Sequence, residues 1–117
     1  MADSTLTVHG ERQHGKTTAL LDVALANARR GLDVAFWSPT AQQSTEAFRR
    51  AHTIADRDAV PFSYTPSNGR EAIRYSGAGR VRFIWGHVGR YDRQGFDMTI
   101  DDADHAGLVA RNNRKGL

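Results

Sequence analysis

The sequence predicts an α/β fold: three layers, with a short, mainly parallel sheet and an added β-hairpin. Three observations carry this reading. Two stretches with helical periodicity alternate with compact apolar runs, which is the βαβ pattern. The apolar runs are too short for helices and are bounded by glycine or proline. A later pair of segments alternates apolar with arginine residues across a glycine-rich turn, as a hairpin does.

Leu6 to His9 is rich in β-forming residues and stops at Gly10, so it predicts the first strand. From Lys16 to Arg30, Leu21, Ala24, Leu25 and Ala28 recur at helical spacing; Arg29 and Arg30 suit the negative C-terminal end, and Gly31 suits a left-handed cap. Val34 to Trp37 reads as a buried parallel strand between Gly31 and Pro39. Thr40 and Gln43 form a capping-box pattern for a second helix, whose face carries Ala47, Phe48, Ala51, Ile54 and Ala55 through about residue 56. Ile73 to Tyr75 and Val81 to Trp85 form the hairpin across Ser76-Gly77-Ala78-Gly79. Phe96 to Ile100 is a third core strand, and His105 to Leu117 is expected to hold one short helix and a frayed tail.

With 117 residues and 39% hydrophobic content, residues 1–117 read as one domain with one core. There is no cysteine, which excludes disulfides and thiolate metal sites. No apolar run approaches the roughly 20 residues of a membrane span, and no secretory leader pattern is present, so a cytoplasmic location is expected, the host cytoplasm if the chain is phage-encoded. The net charge of +3 permits a polyanionic partner, although fourteen of the sixteen basic residues are arginine throughout the chain. His9, His14, His52, His87 and His105 lack metal-ligand spacing.

The sharpest motif is Gly10-Glu11-Arg12-Gln13-His14-Gly15-Lys16-Thr17, which matches G-x-x-x-x-G-K-[ST] and lies between a predicted strand and a predicted helix. In such a loop backbone N–H groups and the helix N-terminus face the phosphates, the lysine neutralises the β- and γ-phosphates, and the threonine hydroxyl ligates Mg²⁺. Thr18 follows it. The loop therefore predicts a nucleotide site formed by Gly10 through Thr18, with Lys16 in contact with the reacting phosphates. Such a site needs an acidic partner at the end of an apolar strand. Phe96 to Asp101 supplies it: Asp101 is expected on Mg²⁺ with Thr17, and Asp102 on an attacking water. Arg74, Arg80 and Arg82 project from one hairpin face and form a candidate DNA-contacting strip; the plain alternative is a solvated strand face.

On Arg12 to Thr18, Ser38-Pro39-Thr40 with Gln42-Gln43, the hairpin Ile73 to Ile84, Arg90 and Arg93, and Ile100-Asp101-Asp102-Ala103-Asp104, the chain resembles the ATPase domain of phage large terminase subunits. More loosely it resembles the first motor domain of DEAD-like helicases. The resemblance spans roughly residues 5–106 and implies a P-loop NTPase-like fold binding ATP and Mg²⁺. It also implies that Arg12 contacts the γ-phosphate and stabilises transition-state charge, and that Gln13 lies near the nucleotide. The chain departs from the family in having Asp101-Asp102 where Asp-Glu is usual, one methylene shorter at the catalytic carboxylate. With the sequence stopping soon after this motif, a complete translocating motor is not expected. The expectation is an ATP-binding protein with slow Mg-dependent ATPase activity, completed by homo-oligomerisation or by a protein partner. The alternative is a non-catalytic nucleotide- or nucleic-acid-binding module acting through a phage or host protein.

Overall fold

A computed structural model describes residues 5–8, 16–67, 69–86, 95–102 and 107–112, with side chains left aside for 5–8 and 107–112. The elements in order are β1 (Thr5–Val8), α1 (Lys16–Arg29), β2 (Asp33–Ser38), α2 (Ala41–Arg57), β3 (Phe62–Thr65), β4 (Ala72–Tyr75), β5 (Arg80–Trp85), β6 (Met98–Asp101) and β7 (Gly107–Asn112). The strands form one mixed sheet in the order β1-β7-β6-β2-β5-β4-β3. The α/β class is as expected, but the sheet is not mainly parallel. Only β2 with β5 and β2 with β6 run parallel; β3–β4, β4–β5, β6–β7 and β1–β7 are antiparallel.

Local chemistry sets the element ends. α1 stops at Gly31, which takes φ 104°, while Leu32 N–H donates to Asn27 O and Gly31 N–H to Ala28 O. These two bonds are the Schellman closure that the glycine permits. α2 starts at Thr40, whose hydroxyl oxygen accepts from the Gln43 backbone N–H at 3.2 Å, as the capping-box pattern predicts. Gly79 closes the β4–β5 hairpin against α1. Its N–H donates to Ala28 O at 2.8 Å, and a Cβ there would collide with the Leu32 backbone.

The main core lies between the helices and one face of the sheet. Leu20, Leu21, Leu25, Phe48 and Ile54 meet Val34, Phe36, Val81, Phe83 and Ile100. Phe83 is the hub, 5.6 Å from the Phe36 ring and edge-on to Phe48 at 5.6 Å. A second cluster of Ala35, Trp37, Ile84 and Phe96 is buried on the opposite face. Both described helices lie on the first face, in place of the expected three layers. The reason is topological. β1-α1-β2 and β2-α2-β5 progress across the sheet in the same direction, and right-handed crossovers that advance in one direction stay on one side.

Two further expectations change. The stretch after residue 105, expected as a short helix, contains strand β7, because β6 and β1 both offer it antiparallel edges. β3, between Pro61 and Pro66, was not expected as a strand at all; among the described strands it pairs with β4 alone, and an edge strand accepts flanking prolines.

Candidate functional site

The site is built at the carboxyl ends of the parallel strands. β2 continues through α2 toward β5, whereas β6 continues to β7 on its other side, so the chain leaves these two adjacent strands in opposite directions. In open α/β sheets the crevice outside the carboxyl ends of the parallel strands is where ligands bind. The start of α1 borders this crevice with Lys16 and Thr17.

Across it, Thr17 Oγ1 donates to Asp102 Oδ2 at 3.0 Å, which joins two motifs that lie 85 residues apart. Lys16 is 5% exposed, notable for a residue type that is rarely buried. Asp102 is anchored by its backbone, whose N–H donates to Trp37 O at 2.8 Å. Lower in the same strands, Asp97 N–H donates to Asp33 O and Asp97 Oδ2 accepts from Asp33 N–H at 3.0 Å, fixing the register of β6 on β2.

That register separates the two acids onto opposite faces of the sheet. Asp101 pairs with Trp37, whose ring belongs to the cluster on the face away from the helices. Ile100 pairs with Phe36 on the helix face. Side chains alternate along a strand, so Asp102 returns to the helix face and Asp101 does not. Asp102 is the acid whose carboxylate accepts from Thr17.

Thr18, expected at the nucleotide, turns toward α2, where its hydroxyl accepts from Arg50 Nη1 at 3.4 Å. Gly10, Glu11, Arg12, Gln13, His14 and Gly15 lie outside the described residues, as do Arg90 and Arg93.

Ser38, the last residue of β2, was part of the resemblance but carried no role. It is fully buried and its hydroxyl has no hydrogen-bond partner among the described residues. Val34 and Phe36 lie on the helix face, so alternation sets Ser38 there as well, and the β2–β6 register, carried one residue past Trp37 and Asp101, sets Ser38 level with Asp102. The sequence signal was its position, the first polar residue after an apolar parallel strand. Donors at this end of the crevice are hard oxygens: the Thr17 hydroxyl, the Asp102 carboxylate and the Ser38 hydroxyl. They suit Mg²⁺, which takes one or two protein oxygens and keeps several waters.

The arginine strip is laid out as the alternation predicts. Arg74 and Arg80 face each other directly across β4 and β5, and Arg82 lies opposite Ala72. Arg80 is engaged: its Nε lies 3.5 Å from Asp33 Oδ1 and its guanidinium stacks on Phe96 at 5.7 Å. Arg74 is exposed. Among the described residues no group of His, Asp or Glu forms a ready metal cluster, and no helix is long and apolar enough to cross a membrane.

Comparison of the chain with protein-family models, curated proteins and solved structures returns no match.

Proposed function

We propose that this chain binds a magnesium nucleoside triphosphate, ATP by resemblance, at the crevice outside the carboxyl ends of β2 and β6 and hydrolyses it slowly at most. The observation that carries the reading is the Thr17–Asp102 hydrogen bond at 3.0 Å, because it unites the lysine-threonine end of a phosphate-loop motif with a strand-end carboxylate. Two motifs recognised separately gain weight when the fold puts them in contact.

In this reading Gly10 to Lys16 wrap the phosphates and Lys16 offsets their charge. Thr17 and Asp102 hold Mg²⁺, which when bound would neutralise charge on the β- and γ-phosphates. Assigning Asp102 to the metal leaves water activation without the carboxylate expected for it. Asp101 is directed to the opposite face by strand alternation, so the reading favours binding and slow turnover over rapid hydrolysis. Arg12 keeps its resemblance-based role at the γ-phosphate. The terminase-like character of the chain stays part of this proposal and rests on the motif order alone.

Calorimetry with ATP, GTP and a non-hydrolysable ATP analogue, with Mg²⁺ and with EDTA, tests it. Wild-type protein is expected to bind in a Mg-dependent way. Lys16→Ala and Asp102→Asn are expected to weaken binding by roughly tenfold or more, about 1.4 kcal/mol per factor of ten. No Mg-dependent nucleotide binding by the wild type would overturn the reading.

A second reading, contact with nucleic-acid phosphates, is favoured by the direct opposition of Arg74 and Arg80. Like charges facing each other across strands destabilise a sheet unless an anion lies between them. With Arg80 engaged by Asp33 and Phe96, Arg74 and Arg82 are the residues to test. Salt-dependent DNA binding that Arg74→Ala with Arg82→Ala fails to weaken would exclude the strip.

A further inference from the structure

Ser38 combines three properties. It is 0% exposed, its hydroxyl has no hydrogen-bond partner among the described residues, and it stands level with Asp102 on the adjacent parallel strand. Neighbouring strands lie about 4.8 Å apart. Alternation along β2, with Val34 and Phe36 on the helix face, therefore puts Ser38 on that face, one strand away from the Asp102 that accepts from Thr17. Buried hydroxyls nearly always find a partner, and one that does not weakens the fold unless something outside the chain satisfies it. Alanine would fill the same place in β2 without that cost.

We propose that Ser38 is a positioning residue of the metal site, its hydroxyl hydrogen-bonding a water in the hydration shell of Mg²⁺ held by Thr17 and Asp102. This rests on the nucleotide reading above and adds a residue to it. Mg²⁺ retains several waters when protein-bound, and groups that hold those waters fix the orientation of the ion and its phosphates. The adjacency of the parallel strands β6 and β2 explains why this serine is the one involved. Ser38 and Asp102 end the two strands that border the crevice, so a ligand lying there meets both.

Ser44 supplies an internal comparison. It is also buried, and its hydroxyl likewise lacks a partner, yet it lies on α2, on the face that also carries Phe48. It does not share the β2–β6 row, and no role at the metal follows for it.

The test compares wild type, Ser38→Ala and Ser44→Ala in two measurements. Thermal unfolding without nucleotide or metal is expected to leave Ser38→Ala as stable as wild type or more so. Calorimetry with the non-hydrolysable ATP analogue is expected to show unchanged affinity in EDTA and loss of roughly tenfold of the Mg²⁺-dependent gain. Ser44→Ala is expected to keep that gain. The proposal is overturned if Ser38→Ala keeps the full Mg²⁺ gain, if it weakens binding equally with and without metal, or if Ser44→Ala loses the same gain. A wild type that binds no nucleotide under either condition defeats the nucleotide reading itself, a result distinct from all three.

Discussion

Tyr75 lies buried in β4, 3% exposed, and burial raises its phenol above the ordinary value of 10.0. The Arg29 guanidinium, 5.9 Å over the ring, opposes that shift. The sign of the consequence is fixed. Above about pH 10 the unfolded chain gives up this proton before the folded one does, so stability is full below that pH and falls as pH rises further. Urea unfolding at pH 9 and pH 11 is expected to show the loss in wild type and a smaller loss in Tyr75→Phe; equal losses would remove Tyr75 as the cause. At the same scale, Asp102 shows what a sequence conveys and what it hides. Asp101-Asp102 was legible as an acidic strand end. Which acid faces Thr17 depends on strand register, set partly by the Asp33–Asp97 bonds between residues 64 apart, and no local pattern encodes that. Ser38 was visible only as the end of an apolar run, since its burial and missing partner are properties of the packed state.

Elements were most legible where local chemistry decides them. The Thr40 cap of α2 and the Gly31 stop of α1 were both readable from side-chain type. Thr40→Ala is expected to cost about 1 kcal/mol, measurable by denaturant unfolding. Gly79→Ala is expected to cost more, about 1–3 kcal/mol, because the added methyl meets the Leu32 backbone that anchors the hairpin to α1. An unchanged unfolding midpoint in Gly79→Ala would mean that this contact yields easily. β3 and β7 escaped the sequence reading for a shared reason. Each is a strand because a neighbour offers it an edge, β4 for the first and β6 with β1 for the second. Propensity is a weak guide when pairing between distant segments decides.

Over the whole molecule, the α/β class followed from the alternation of elements, while the mixed character of the sheet did not. The parallel centre, β6-β2-β5, carries the crevice, and antiparallel strands extend it on both sides. Phe36 and Phe83, both fully buried, tie this centre to the helices. Phe36→Ala is expected to destabilise by about 3–5 kcal/mol, measured by denaturant unfolding, and to lower affinity at the proposed nucleotide site only as far as it lowers the folded fraction.

The place of β1 has a consequence for how the protein is made. β1, the strand before the proposed phosphate loop, enters the sheet among the described strands through β7, with Thr5 opposite Arg111 and Val8 opposite Gly107. Contacts that close such long loops form late in folding. On the ribosome, α1, β2 and α2 can begin to pack while β1 still lacks β7, so β1 is seated after them. Seating of β1 in the sheet is thereby tied to synthesis of β7: in a nascent chain stalled before Gly107 the β1 amides are expected to exchange freely, and in one extended well past Asn112 to be protected.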